Sequence, residues 1–138
     1  MNSRKWIYLA AVMLAAAALW RLGADHPDGA GAAQRAFDHQ VSGVVITVPG
    51  RVERILDDDV RPPRHQRFII RSTRGQTLLV AHNLELAPRV PLKLGDRVTV
   101  RGEYEWNAEG GVLHNTHRAP RGGSSGWIRL ERTKRAYR

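Results

Sequence analysis

From about Ser42 onward, apolar residues come in short segments separated by turn residues, which predicts an all-β domain. Five strands are expected: near 43–56 ("GVVITVPGRVERIL"), interrupted at Pro49 and Gly50, then 66–72, 76–83, 96–106 and 111–116. The fourth has the clearest period of two. Val98, Val100, Gly102, Tyr104 and Trp106 alternate with Arg97, Thr99, Arg101, Glu103 and Glu105, giving one apolar and one charged face. Gly102 falls where a strongly curved strand of a small barrel needs a residue without a side chain. A long, broken first strand, two strands, a longer connection and two more strands fit an all-β fold, a small five-stranded OB-like Greek-key barrel.

The segments before and after differ in pattern. Arg4 and Lys5 precede the uncharged run "WIYLAAVMLAAAALW", which ends at Arg21, the layout of a secretory signal. That run has fifteen residues, and a membrane span needs about 20. The reading is therefore export with cleavage, to the periplasm or beyond. The alternative is an uncleaved hydrophobic helix, residues 6–20, holding the chain to the inner membrane. The chain then divides into 1–24, signal peptide or anchor; 25–40, linker; 41–120, barrel; and 121–138, glycine-rich loop and basic tail. Outside the leader, only "AAQRAF" has helical periodicity.

Composition adds charge. The 138 residues hold 22 Lys and Arg against 13 Asp and Glu, a formal +9. Taking Arg4, Lys5 and Arg21 from the 22 basic residues leaves 19 against 13 acids, so a cleaved chain keeps +6. The basic bias belongs to the domain, and its natural partner is an anionic polymer or surface. With no cysteine, disulfides, thiol nucleophiles and thiolate metal sites are excluded, leaving His and carboxylates as metal ligands.

The series "RHQRFIIR", "GQTLLVAHNLELAPRVP", "LGDRV", "GEYEWNAEGGVLHNTH" and "GGSSGW" resembles an uncharacterised bacterial family, domain of unknown function 3465, over roughly residues 38–128. The resemblance implies a small exported protein and no established reaction. It also implies a motif from which this chain departs. A further histidine and Asp-Pro usually follow the second histidine, but Arg118 and Ala119 precede Pro120 here. Asn115 stands where an aromatic residue is usual, and a histidine of the glycine-rich loop is replaced by small residues. Any chemistry needing that Asp is impaired in this chain.

Four histidines, His65, His82, His114 and His117, are candidate ligands for a divalent metal; three converging would leave a position for water. On a strand, positions i and i+3 face opposite sides, so His114 and His117 converge only if the strand ends between them. The same histidines also read as polar barrel-end residues bonded to carbonyls. A phosphodiesterase or nuclease can be assembled from His82, His114, His117 and Glu103, with Arg67, Arg71 or Arg118 neutralising phosphate. Asp57, Asp58 and Asp59 lack the alternating donors of a calcium loop and read as a solvated turn.

The arginines carry the favoured reading. Arg67 and Arg71 share a parity, as do Arg97 and Arg101, and in such barrels the face of the second and third strands takes single-stranded nucleic acids or oligosaccharides. Trp106 and Trp127 are candidate stacking platforms. The expected ligand-binding residues are His65, Arg67, Arg71, His82, Asn83, Arg101, Trp106, His114, His117 and Arg118. The expected function is binding of an anionic polymer, nucleic acid before polysaccharide, by an exported module with no cofactor beyond a possible divalent metal. The alternatives are the metal-assisted phosphodiesterase and a structural envelope protein without a ligand.

Overall fold

The structure, a computed structural model, describes residues 29–123 and 125–138. The leader expected over 1–24, with its hydrophobic helix, lies outside them. The elements run α1 (Gly29–Asp38), β1 (Val44–Ile55), β2 (His65–Ser72), β3 (Thr77–Asn83), β4 (Arg97–Glu105), β5 (Val112–His114), β6 (Trp127–Leu130) and β7 (Arg135–Tyr137).

The strands lie in the order β1-β2-β3-β5-β4, and β1 also pairs β4, so five of them close a barrel. The β3–β5 pairing is parallel. Its barrel neighbours pair antiparallel. This is the OB-like Greek-key arrangement. Strand β1 makes closure possible because it serves two partners: Val44–Arg51 pairs β4, and Gly50–Ile55 pairs β2. The expected break at Pro49 and Gly50 is a bend in a continuous strand. A Cβ at Gly50 would press on the Arg71 carbonyl and the Ile70 side chain, so the bend takes glycine.

The period of two in β4 holds. Val98, Val100, Gly102 and Tyr104 are buried, while Arg97, Thr99, Arg101, Glu103 and Glu105 are outward or half-buried. The reason for Gly102 is sharper than curvature: a Cβ there would run into the carbonyl of His114, where the chain beyond β5 crosses β4. Inside, Val48, Phe68, Ile70, Val80, Val100, Tyr104 and Leu113 are fully buried. The Tyr104 hydroxyl donates to the Gly110 carbonyl at 3.1 Å, satisfying the polar atom of the largest fully buried side chain.

Two expectations need correction. The linker of 25–40 contains α1, whose small residues Ala30, Ala33 and Ala36 are buried; it lies against β1, where Gly29 meets the Thr47 carbonyl. Small residues that read as a flexible junction are what close helix–sheet approach requires. The tail is likewise no free tail. Strand β6 pairs β4 through Val98–Arg101, β7 pairs β6, and Ile128, Leu130 and Tyr137 join the core. Strands of four and three residues are too short for alternation to stand out against arginines.

Gly126 sits where the loop before β6 passes beneath β5's exit, and a Cβ there would overlap the carbonyls of Asn115 and Arg101. Neither backbone can give way. Gly126→Ala is expected to cost about 1–3 kcal/mol, read as a lower urea midpoint at unchanged slope.

Candidate functional site

The four histidines take different partners. His82 points inward from β3 and is fully buried; its Nε2 donates to the Pro88 carbonyl at 3.1 Å and its Nδ1 accepts from the Thr116 hydroxyl at 2.8 Å. The carbonyl can only accept, which fixes the proton on Nε2 in the neutral ring. Burial, with His117 and His65 as neighbouring potential charges, pushes its pKa below 6.5. His65 pairs with Asp59 at 2.7 Å. His117 is buried with Nδ1 donating to the Arg118 carbonyl at 2.9 Å. His114 faces Glu105 at 3.4 Å.

Strand β5 does end at His114, and Asn115 takes a left-handed φ of 51°. Beyond that turn His117 is buried, while His114 stays half-buried. Among the described residues no three of the candidate histidines bring ligand nitrogens within 4.8 Å of one another, and in the phosphodiesterase set both nitrogens of His82 are engaged. Among the described residues, the one group of three or more His or carboxylate side chains with ligand atoms within 4.8 Å of one another is Glu103, Glu105 and His114.

The face expected from β2 and β3 is also divided. Arg67 pairs with Asp59 at 3.2 Å and donates to the Asp57 carbonyl at 2.9 Å. Asp58 takes Arg64 and Arg89, and the Arg89 hydrogen bond holds its carboxyl below the usual range. The acidic triplet thus occupies Arg64, Arg67 and Arg89. Between Arg67 and Arg71 the outward positions are Ile69, Leu79 and Ala81, with no aromatic platform. Asn83 accepts the Glu85 amide in a turn. Trp106 is spent on α1: it stacks on Phe37, ring centroids 6.4 Å apart, and its Nε1 donates to the Phe37 carbonyl. Arg118 is exposed on the loop after β5.

The cations gather instead on the outer surface of β1, β4 and β6. Register places Arg71 opposite Arg51, and Arg51 opposite Arg97, three arginines in one row across β2, β1 and β4. Like charges directly opposed are destabilising unless neutralised. Glu53 binds Arg71 through both oxygens, and Arg51 Nη1 donates to the Gly95 carbonyl at 2.8 Å. One residue row on, Thr99 faces Arg129, which lies 5.9 Å from the Trp127 ring; next, Arg101 faces Trp127 and donates to Thr47 Oγ1.

A groove of about 930 Å³ opens here, lined by six basic residues (Arg51, Arg71, Arg97, Arg129, Arg132, Lys134) and three acids (Glu53, Asp96, Glu131), a surplus of three positive charges. Burial raises the Glu131 carboxyl, but the Thr99 hydroxyl, Arg129 and Lys134 outweigh it and hold the pKa down to about 2. The acid stays ionised and braces the groove. Of the expected residues, Arg71 lines this groove and Arg101 flanks it. Arg51 was hidden, because its place opposite two other arginines follows from register alone.

Fold and surface define a small OB-like barrel with a basic outer groove. The chain belongs to the family described as protein of unknown function (DUF3465), whose family model matches residues 13–137. The match is longer than the expected 38–128 at both ends and takes in α1 and all of β6 and β7. No curated protein and no solved structure matches the chain.

The neutral His82 predicts a pH effect. An unfolded histidine binds its proton near 6.5 and the folded one only at lower pH, so stability is full above about 6.5 and falls as pH drops below it toward the folded pKa. Urea midpoints measured from pH 7.5 to 5 are expected to show that fall. In His82→Leu the slope flattens, and the unpaired Thr116 and Pro88 groups lower stability at pH 7.5 by about 1–3 kcal/mol.

Proposed function

We propose that the protein is an exported binding module for an anionic polymer, nucleic acid before polysaccharide, and that the polymer lies in the groove over β1, β4 and β6. The observation that carries this is the Arg71–Arg51–Arg97 row. Three guanidinium groups set side by side, with one carboxylate pair among them, gain most from a ligand with closely spaced negative charges. Phosphates along a strand supply that spacing, and arginine forks match phosphate oxygens.

Nucleic acid is favoured over polysaccharide by Trp127. Its ring is half-buried beside Arg129 and Arg101, where a base can stack while the neighbouring arginines take the backbone. The ion pairs already present set the affinity in a modest range, because each internal carboxylate competes with phosphate. Export rests on the leader pattern, and attachment to the inner membrane through residues 6–20 is its variant form.

Fluorescence anisotropy with a labelled single-stranded DNA oligonucleotide, from low to physiological salt, tests the reading. Affinity is expected to fall steeply with salt, and each groove arginine lost is expected to flatten the log–log slope by about 0.7. Arg51→Ala with Arg97→Ala is expected to weaken binding about tenfold or more, while Arg67→Ala, tied to Asp59, changes it little. A sulfated oligosaccharide of equal charge that binds as tightly reverses the preference for nucleic acid. No binding of either at low salt sinks the proposal and leaves the charge as a solubility feature.

A further inference from the structure

We propose that Glu103, Glu105 and His114 form a site for a divalent transition-metal ion, with zinc the best fit. Glu103 and Glu105 are two apart on β4 and project from one face; β5 places His114 directly opposite Glu103. One ligand atom from each lies within 4.8 Å of the others. Ligands about 2.1 Å from a tetrahedral zinc stand about 3.4 Å from each other. The His114 Nε2 to Glu105 Oε1 separation is 3.4 Å. All three side chains are half-buried, free to adjust by the remainder.

Among the described acids, Glu53, Asp58, Asp59, Asp96 and Glu131 are each held by an arginine, whereas Asp38, Asp57, Glu85 and Glu109 are not. Among the described residues no arginine or lysine ion pair reaches Glu103 or Glu105, whose side-chain partners are Asn115 and His114. Two carboxylates set side by side on one face repel each other, and a bound cation relieves that repulsion. Asn115 Nδ2 donates to Glu103 Oε2 at 3.0 Å, steadying that carboxylate as metal-bound carboxylates usually are steadied.

The donor set selects the ion. One nitrogen and two carboxylates suit zinc, with manganese weaker, whereas calcium requires more oxygens than these residues provide and magnesium favours an all-oxygen shell. Three protein ligands leave a position open for water or an anion's oxygen. Glu103 also lines a cavity of about 440 Å³ shared with Asn115 and His117. The site is on the same outward face of β4 as Arg97, about 20 Å along the strand. It goes beyond the polyanion reading and does not rest on it.

The test is isothermal titration calorimetry of the full-length, chelator-treated chain with zinc chloride, without nucleic acid. One equivalent is expected to bind, with an upward shift in the unfolding midpoint. Glu105→Gln and His114→Asn are each expected to weaken binding about tenfold or more; His65→Asn, at the Asp59 pair, leaves it unchanged. Zinc-dependent shifts of the His114 ring resonances in the native chain decide the matter even if a variant fails to fold. Absence of binding, undiminished binding in both variants, calcium binding as tight as zinc, or shifts at His65 and not at His114 would each overturn the site.

Discussion

Everything else in the molecule depends on β1 serving two partners. Its first two-thirds pair with β4 and its last half with β2, and the two pairings overlap at Gly50, which pairs with both Val98 and Ser72. A sheet closes only if one strand bends enough to hydrogen-bond on both sides, and closure removes the edges that a small β domain without disulfides would otherwise expose. The same bend sets Arg51 between Arg71 and Arg97. The geometry that closes the barrel therefore also concentrates its charge.

Close backbone contacts fix the rest of the site. Where the chain leaves β5, Gly102 and Gly126 let it pass against β4 and the loop into β6, and Asn115 turns it with a positive φ. That crossing leaves His114 outside with Glu103 and Glu105, and buries His117. It also leads into β6, which extends β4 and brings Arg129 and Trp127 beside Thr99 and Arg101. Two outward regions result on one strand: a basic groove at the start of β4 and an acidic, histidine-containing group at its end.

Charge is used twice in this protein. In the first loop, Asp58 and Asp59 hold Arg64, Arg67, Arg89 and His65, so those cations shape a connection rather than a binding surface. In the groove, cations outnumber acids six to three, and the surplus faces solvent. Counting arginines along the chain cannot separate these uses, because the partners of Arg67 and Arg71 come from loops and strands that only folding brings near.

The sequence by itself determined the family, the all-β class, the five barrel strands and the outward charged face of β4, because a period of two and turn residues are local signals. It also marked His114, Glu103 and Arg71 as candidate site residues. Tertiary structure decided the remainder. It made a helix of α1, since small residues gain their stability only against β1, and it drew the basic tail into the sheet, since Ile128, Leu130 and Tyr137 are apolar positions only once β4 is beside them. It separated His82 from His114, and it aligned Arg51 with Arg71 and Arg97. Register between distant strands carries those last two results, and register arises from closure of the whole barrel rather than from any segment.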